Sequence, residues 1–276
     1  MGQLGAPREV SADQVEAYRR DGVVVLRGVL PSAWFDRLEP AVAAAFEGDE
    51  TADLSAIAPG AGESSGARFR AGVNHWRQDP VMRAFACESP LPGIAAALLG
   101  SERVWLYEDS ILVKPPGTRE ETRFHQDLPY FGLTGTQLAT FWCPLDPVTP
   151  HTGSLRFVRG SHLWGREFRP NLFVIDDPIP DTHGETVPDI DPDDPSVLCV
   201  DLEPGDITVH DARTLHGAGP NTSATVWRRA VSVRYCGDDV RVHRRPGMPA
   251  AEHRESLVEG DPLADGEVTP QVWPRR

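Results

Sequence analysis

The sequence predicts a mainly β protein with flanking helices, built on a double-stranded β-helix of the jelly-roll or cupin-like type. Two observations predict this class. Between residues 103 and 240, short apolar runs separated by turn residues suggest about eight or nine strands, enough for a jelly roll. Before residue 100, apolar residues recur at helical spacing, so a helical section should pack against one sheet.

Length and composition are consistent with one folded unit. The chain has 276 residues, of which 40% are hydrophobic and 25% charged, which is the balance of a globular protein with a core. β-Sandwiches and barrels reach about 200–250 residues as one domain. We therefore expect a single domain with a helix-rich part at 1–100, a core at about 103–240 and an irregular tail at 241–276.

Helix signals stand near the start of the chain. The four residues from Ser11 have capping-box form and Gly22 suits a C-terminal cap, so a helix is predicted at 12–21. Apolar residues at helical spacing predict a second helix at roughly 32–47, and Pro40 should kink it.

Two shorter helices and then the strands follow. Asp-Pro at 79–80 and Ser-Pro at 89–90 should begin the helices, because proline favours the first helical turn, and the second should end at Gly100. Residues 23–26 read as a buried strand, and the segment around His125 reads as extended. The other predicted strands lie at 104–107, 110–113, 138–142, 155–158, 172–175, 197–200, 206–209 and 230–233.

Two segments are predicted to be loops. Residues 59–72 are rich in glycine and serine and carry Arg68 and Arg70. Residues 176–196 contain eight acidic residues, five prolines and no lysine or arginine, a composition that cannot pack a core. The second segment is therefore either a solvated insertion between strands or a lid over a cleft.

Charge and cysteine content argue against several classes of partner. A formal net charge of −14 disfavours nucleic acid and anionic membranes, since both require basic patches. The four cysteines are widely separated without a Cys-x-x-Cys pair, so no disulfide framework or zinc knuckle is expected. No signal-peptide or transmembrane run is present, and Met1-Gly2 is discounted as a myristoylation site because Ala6 replaces the required Ser or Thr. We expect a cytoplasmic protein.

The triplet His125-Gln126-Asp127 is the stretch around which a function can be argued. Successive side chains of a strand alternate in direction, so an extended backbone would point His125 and Asp127 to the same side. One imidazole nitrogen and one carboxylate oxygen are two thirds of the 2-His-1-carboxylate triad that holds non-haem Fe(II). His216 is the candidate for the third ligand.

Several short motifs follow one another in a fixed order along about residues 10–240. They are Asp21-Gly22-Val23, Lys114-Pro115-Pro116, His125-Gln126-Asp127 with Tyr130-Phe131, Trp142, Gly153 to Gly160-Ser161-His162, Pro204-Gly205-Asp206, His216-Gly217 with Asn221, and Arg228-Arg229-Ala230. Each motif alone is common, but in this order they resemble the phytanoyl-CoA dioxygenase family of Fe(II)/2-oxoglutarate oxygenases.

The resemblance implies a complete cofactor site. Fe(II) would be bound by His125, Asp127 and His216, and 2-oxoglutarate would chelate the metal beside dioxygen. The far carboxylate of 2-oxoglutarate would pair with Arg228, and Trp142 falls where the family has an aromatic residue beside this cosubstrate. Succinate and CO₂ would be coproducts. Because halogenating relatives replace the carboxylate ligand with a small residue, Asp127 favours hydroxylation or desaturation.

The arginine assignment leaves one alternative open. The family spacing between the second histidine and the arginine is one residue shorter than the gap from His216 to Arg228. Strand alternation puts Arg228 on the same face as the small residues Ala230 and Ser232, which would leave room for a cosubstrate. Arg228 is therefore preferred, with Arg229 as the alternative.

Substrate contacts are predicted more loosely. Tyr130 and Phe131 could wall an apolar pocket, and Arg70, Asn74 and Lys114 could supply polar contacts, although solvated arginine and lysine side chains are the simpler interpretation of the last group. The substrate itself and the oligomeric state cannot be predicted. His162 is read as structural, and the histidines read as surface or loop residues are His75, His151, His183, His243 and His253.

The leading hypothesis is a hydroxylase acting on a small molecule. A jelly-roll protein that binds a metal without turnover is the alternative, and a zinc hydrolase with the same ligands is a third reading.

Overall fold

The computed structural model describes residues 8–58 and 67–275, and within those ranges it contains four α-helices and fourteen strands. The helices are α1 (Ala12–Asp21), α2 (Ala33–Glu47), α3 (Pro80–Glu88) and α4 (Leu91–Leu99). The strands are β1 (Val23–Leu26), β2 (Ala52–Asp53), β3 (Arg70–Val73), β4 (Val104–Lys114), β5 (Thr122–His125), β6 (Leu133–Thr134), β7 (Leu138–Pro144), β8 (Leu155–Val158), β9 (Val197–Cys199), β10 (Ile207–Asp211), β11 (His216–Ala218), β12 (Arg228–Cys236), β13 (Arg241–Val242) and β14 (Gln271–Trp273).

Two antiparallel sheets face each other. The larger sheet has the order β1-β10-β7-β12-β4-β3-β2, and β14 also pairs with β4. The smaller sheet has the order β5-β11-β8-β9, and β13 pairs separately with β6. The mainly β jelly roll predicted from the sequence is confirmed, and the space between the two sheets is where a ligand can be enclosed.

The helices pack on the outer face of the larger sheet, as predicted. At the start of α1, Ser11 and Gln14 exchange side-chain and backbone hydrogen bonds, and Gly22 ends the helix with φ 74°. Helix α2 continues through Pro40. The main core joins helix residues such as Trp34, Leu38, Phe85 and Ile94 to sheet residues such as Phe141, Val209 and Val233. His162, read as structural, hydrogen-bonds the carbonyl oxygen of Arg19 through Nε2 at 3.1 Å.

Some predicted elements differ. The runs at 104–107 and 110–113 form one strand, β4. The predicted strand at 172–175 is wrong, because Asn171 caps the Phe173 amide and Phe173 has a left-handed φ of 65°, which breaks an extended backbone. The tail called irregular contributes β13 and β14. Most of the loop predicted at 59–72 lies outside the described residues, as do Met1, Gly2 and Ala6.

The loop at 176–196 is anchored on the outer face of the smaller sheet. Val187 and Ile190 pack against a small cluster that includes Val158 and Leu215. In the described part of the chain, no helix has the length and apolarity needed to cross a bilayer. All four cysteines are free thiols.

Candidate metal centre and anion pocket

The inner face of the larger sheet is a ladder of cross-strand neighbours. Directly paired residues of antiparallel strands point to the same face, and every second residue along a strand shares that face. The first rung is Glu108, Arg234, Thr140 and His210; the second is Ser110, Ser232, Trp142 and Thr208; the third is Leu112, Ala230 and Pro144; the fourth is Lys114 and Arg228. The first and fourth rungs carry the charged residues of this face.

Three metal-binding side chains meet beside the first rung. His125 ends β5 and His216 begins β11, and the strand register pairs the two residues directly. Oδ1 of Asp127 lies 3.7 Å from Nε2 of His125 and 3.8 Å from Nε2 of His216. One ligand atom from each residue lies within 4.8 Å of the others, and all three residues are buried. Two imidazole nitrogens and one carboxylate oxygen are the donor set of a facial Fe(II) triad.

Asp127 reaches this cluster from a turn, whereas strand alternation was expected to bring it there. β5 ends at His125, and Asp127 has helical backbone angles (φ −71°, ψ −40°) before the 3₁₀ turn Leu128–Tyr130. The amide of Leu128 donates to the carbonyl oxygen of Ala212 at 2.8 Å, which ties the turn to the end of β10. The two side chains therefore converge as predicted, but for a different structural reason.

Hydrogen bonds fix the orientation of all three side chains. Nδ1 of His125 lies 2.8 Å from the carbonyl oxygen of Arg123, and Nδ1 of His216 lies 3.0 Å from that of Thr214. A carbonyl oxygen only accepts, so each Nδ1 carries the proton and each Nε2 has a free lone pair. Thr140 donates its hydroxyl to Oδ2 of Asp127 at 2.5 Å, which leaves Oδ1 facing the imidazoles.

The electrostatics keep the donors in the forms that bind a metal. Burial, together with the neighbouring His216, lowers the pKa of His125 to about 3. Burial and His210 lower the pKa of His216 to about 4. Burial would raise the pKa of Asp127, but the imidazoles of His216 and His210 outweigh it and hold this pKa well below its usual value. Both imidazoles are neutral and the carboxylate is ionised at neutral pH.

His210 is a residue of this site that the sequence did not single out. Its ring lies 4.2 Å from that of His216 between centroids, and its Nε2 lies 3.4 Å from Oδ2 of Asp127. Both ring nitrogens are buried without a hydrogen-bond partner among the described residues. Its place on the inner face of β10, beside Thr140, could have been found from strand alternation once the sheet order was known.

The fourth rung holds two buried cations that have no carboxylate partner in the described part of the chain. Nζ of Lys114 donates to the carbonyl oxygen of Gly219 at 2.8 Å, and Nε of Arg228 has no partner among the described residues. Burial lowers the pKa of Arg228 to about 9, and burial with the nearby Arg228 lowers that of Lys114 well below its usual value. A buried cation without a counter-ion is costly, so this rung is suited to an anionic ligand.

Arg229 points the other way. Its guanidinium forms a paired contact with Asp146, the shortest at 2.6 Å, and a second ion pair with Glu39 at 2.8 Å. Arg228, preferred on strand alternation, is the arginine that faces the interior. Residues 219–227 connect β11 to β12, and within this connection Asn221 donates to the carbonyl oxygens of Lys114 and Val226.

The second rung lies between the metal ligands and the cation pair. Trp142, predicted to lie beside the cosubstrate, is 2% exposed, and its indole Nε1 has no partner among the described residues. Oγ1 of Thr208, the cross-strand neighbour of Trp142, is also buried without a hydrogen-bond partner among the described residues. Buried polar groups normally have a hydrogen-bond partner, so these two groups could be satisfied by a polar ligand bound beside the second rung.

The residues that were predicted to contact the substrate lie in different parts of the structure. Tyr130 stacks edge-on against His125, with ring centroids 5.6 Å apart, and Phe131 packs against Tyr107. Asn74 accepts a hydrogen bond from Arg254 at 3.0 Å. The structure does not bring Arg70 to the metal ligands, because its guanidinium donates to the carbonyl oxygens of Gly48 and Thr51. Lys114 is the cross-strand neighbour of Arg228 in the fourth rung.

Phe173 is a further contact of the metal centre that sequence reasoning missed. Its ring centroid lies 4.8 Å from that of His125 and 4.8 Å from that of Tyr130. It comes from the connection after β8, in the run that was predicted to be a strand. His75, read as a surface or loop residue, is buried at 7% exposure and starts a 3₁₀ turn.

Fold and donor set together define a jelly-roll protein with a two-histidine, one-carboxylate centre. The chain belongs to the phytanoyl-CoA dioxygenase (PhyH) family, which it matches over residues 18–230. This is the family that the ordered motifs indicated. Its sequence relatives include the multifunctional dioxygenase ausE of Penicillium brasilianum, 25% identical over 249 residues that cover 85% of this chain and 75% of the relative. The ectoine dioxygenase of Sphingopyxis alaskensis is 27% identical over 157 residues, covering 55% and 50%.

Solved structures agree with this family. The non-haem α-ketoglutarate-dependent carbocyclase SnoK from nogalamycin biosynthesis superposes with a TM-score of 0.73 at 26% identity, covering 97% of this chain and 99% of its own. The epimerase SnoN in complex with Fe³⁺, α-ketoglutarate and nogalamycin RO gives a TM-score of 0.71 at 26% identity, covering 94% and 97%. Iron and 2-oxoglutarate (α-ketoglutarate), the cofactors predicted from the sequence, are thus those named for the second neighbour.

Proposed function

We propose that the chain is an Fe(II)- and 2-oxoglutarate-dependent dioxygenase that hydroxylates a small-molecule metabolite or natural-product intermediate, with succinate and CO₂ as coproducts. Fe(II) is held by Nε2 of His125, Oδ1 of Asp127 and Nε2 of His216. The far carboxylate of 2-oxoglutarate pairs with Arg228 and Lys114. The observation that carries this proposal is the buried cation pair of the fourth rung, which has no carboxylate partner among the described residues.

The residues suit Fe(II) and 2-oxoglutarate for separate reasons. Three protein donors on one side of an ion leave positions for a chelating cosubstrate and for dioxygen. The guanidinium of Arg228 suits a carboxylate, because its planar fork can donate two parallel hydrogen bonds, and Lys114 adds a second positive charge. Bound Fe(II) supplies the activation of dioxygen that oxidises 2-oxoglutarate to succinate and CO₂.

The protein's own contribution is orientation and exclusion of water. Thr140 holds the orientation of the Asp127 carboxylate through its hydrogen bond to Oδ2, and Nε2 of His210 lies 3.4 Å from the same oxygen. The rings of Tyr130 and Phe173 cover the open side of His125, which limits the entry of solvent to the metal ligands. Trp142 and Thr208 offer unsatisfied polar groups along the path between the metal ligands and the cation pair.

A metal-binding jelly roll without turnover is the competing function. Such a protein needs the three metal ligands but has no use for two buried cations facing the same interior. A zinc hydrolase would share the ligands and would likewise not require an anion pocket at this position. The cation pair therefore favours the oxygenase over both.

The test compares two adjacent arginines. Arg228 faces the interior, whereas Arg229 pairs with Asp146 and Glu39 on the opposite face. With anaerobically purified protein and added Fe(II), Arg228→Gln should weaken 2-oxoglutarate binding by about 10- to 100-fold, as expected for losing hydrogen bonds to a charged group. Arg229→Gln should leave that affinity within about threefold.

Binding is followed by calorimetric titration, and turnover by succinate release once air and candidate substrates are added. Failure of the wild-type protein to bind 2-oxoglutarate with Fe(II), or equal effects of the two substitutions, would contradict the assignment. The products formed from a turned-over substrate distinguish hydroxylation from the carbocycle-forming and epimerising reactions named for the solved neighbours.

A further inference from the structure

A cavity lies against the ring of Tyr130. It encloses about 510 Å³ and is bounded by Tyr130, the start of β4 and the segment 242–257. Because the ring of Tyr130 also contacts His125, one aromatic side chain separates this cavity from a metal ligand. The volume is in the range of pockets that hold small organic ligands, about 300–1,000 Å³.

A buried polar cluster forms one wall of the cavity. Glu108, from the first rung, lies between two arginines: Nη1 of Arg254 is 3.2 Å from its Oε2, and Nη1 of Arg234 is 4.0 Å from its Oε1. Arg254 also donates to the carbonyl oxygen of Tyr107 at 2.5 Å and to Oδ1 of Asn74 at 3.0 Å. Arg254 is 7% exposed and Glu108 is 9% exposed, so water screens neither strongly.

This cluster has an excess of positive charge and unused donors. Two guanidinium groups face one carboxylate, so the cluster carries a net charge of about +1 at neutral pH. Nε of Arg234 and Nε of Arg254 are buried and have no hydrogen-bond partner among the described residues. Of these two arginines, Arg254 lines the cavity. A buried N–H without an acceptor costs free energy, so a ligand oxygen that accepts from Arg254 would be stabilised.

The remaining lining is apolar or additionally basic. Met248, Leu257, Val242 and the two tyrosine rings supply carbon surface, and Glu108 is the single carboxylate among the described residues that line the cavity. Arg244 and Arg245 also line it, although Arg245 is paired with Glu167 at 2.5 Å. The chain as a whole has a net charge of −14, whereas the charged residues that line this cavity are mainly basic.

The position of Arg234 relates the cavity to the proposed chemistry. Arg234 is the direct cross-strand neighbour of Thr140, the residue that holds Asp127. Arg234 and Arg228 stand at opposite ends of the ladder on β12, in the first and fourth rungs. The interior thus has two separate cationic anchors, one on the far side of the second rung and one beside the metal ligands.

We propose that this cavity is the substrate site and that the substrate is a molecule with an apolar, ring-sized body and one anionic oxygen group, a carboxylate or an ionised enol or phenol. The anionic oxygen is bound by Arg254, which lines the cavity, and the positive charge of Arg234 on the other side of Glu108 adds to the attraction. The apolar body packs against Tyr130 and Met248, next to the metal centre. This inference rests on the proposed function, because the reacting carbon must lie beside bound Fe(II).

The test uses anaerobic protein loaded with Fe(II) and saturated with 2-oxoglutarate, so that Lys114 and Arg228 are already engaged. The probes are aryl carboxylates with their matched methyl esters, beginning with 2-naphthoate and methyl 2-naphthoate, titrated calorimetrically. The carboxylate should bind at least about tenfold more tightly than its ester, the size expected for a charge-assisted hydrogen bond. Arg254→Gln should remove this preference.

A second variant separates recognition from a merely structural role. Glu108 competes with the probe for Arg254, so Glu108→Gln should strengthen carboxylate binding by about threefold or more while leaving ester binding unchanged. Arg27→Gln is the control. Arg27 is exposed, is not a lining residue of the cavity, and forms an ion pair with Asp206 at a distance of 2.7 Å. A structural role alone would make Glu108→Gln and Arg254→Gln change binding in the same direction.

The inference is overturned if carboxylates and esters bind equally across the probe set, if no carboxylate binds, or if Glu108→Gln weakens carboxylate binding. Any of these results with 2-oxoglutarate still bound refutes this substrate site alone. Loss of 2-oxoglutarate binding by the wild-type protein instead refutes the proposed function, so the two failures are distinguishable.

Discussion

Thr140 determines which oxygen of Asp127 is available to a metal. Its hydroxyl donates to Oδ2 at 2.5 Å, and Oδ1 is left 3.7 and 3.8 Å from the two imidazole nitrogens. Thr140 is itself 2% exposed and lies between Arg234 and His210 in the first rung. The orientation of the carboxylate is therefore set by the larger sheet, while both histidines come from the smaller one.

Removing that hydroxyl should weaken metal binding. Thr140→Val keeps the side-chain volume but leaves Oδ2 of Asp127 without its donor, so Fe(II) affinity should fall by about 10- to 100-fold. Anaerobic Fe(II) titration measures the change. Thr140→Ser retains the hydroxyl and should stay close to the wild type; equal affinity in the valine and serine variants would show that this hydrogen bond does not orient the ligand.

We predict that Lys114 lowers the stability of the ligand-free protein and is necessary for cosubstrate binding. It is fully buried and has no carboxylate partner within residues 8–58 and 67–275, so Lys114→Met should raise the free energy of unfolding of the ligand-free protein by about 1–3 kcal/mol. The same substitution should weaken 2-oxoglutarate binding by about tenfold, since it removes one positive charge from the fourth rung. Urea denaturation and calorimetric titration check the two effects, and reduced stability of the methionine variant would contradict the first.

Asp109 should make stability depend on pH. Burial raises its pKa to about 7, and one carboxylate oxygen accepts the amide of Trp76 at 2.9 Å. The folded state therefore holds a proton that the unfolded state has released, so this stabilising contribution is present below about pH 4 and is lost as pH rises to about 7.

Asp109→Asn keeps the acceptor and removes the ionisation. Relative to the wild type, this variant should gain stability as pH rises from about 4 to 7, by up to about 4 kcal/mol. Thermal and urea unfolding across that range measure the difference. A constant difference between variant and wild type at all pH values would mean that the carboxyl group ionises normally.

Phe173 should limit solvent access to the metal ligands. Its left-handed backbone holds an aromatic ring 4.8 Å from the ring of His125. Phe173→Ala should increase 2-oxoglutarate consumption in the absence of substrate by about threefold or more, because water reaches the centre more easily. Succinate release measures this uncoupled turnover. Leu163→Ala, at a residue that is 66% exposed, is the control, and an unchanged rate in Phe173→Ala would exclude a shielding role.

The parts of the site that the sequence predicted are those encoded locally. His125 and Asp127 are two residues apart, and His216 and Arg228 belong to motifs with a fixed order. Alternation along β12 was enough to separate Arg228 from Arg229 onto opposite faces, because a strand's two faces are strictly periodic. Most helix starts were likewise given by caps and prolines, which act within one turn of the chain.

The missed parts depend on contacts between distant segments. Arg254 meets Glu108 across 146 residues, and nothing near either residue in the sequence indicates the other. His210 required knowledge that β10 lies beside β7. The run 172–175 looked like a strand because of its apolar residues, but Asn171 binds Tyr130 and the Phe173 amide, and this local side-chain competition overrides strand propensity.

The pairing of β12 with its neighbours has an evolutionary consequence. The connection 219–227 can absorb a change in length, since it lies outside both strands that it joins. A single deletion inside β12 would instead exchange its two faces, turning Arg228 toward Asp146 and Glu39 and replacing it in the interior by a neighbour of different size. We therefore expect insertions and deletions among relatives to occur in the connection 219–227 and to be absent from β12.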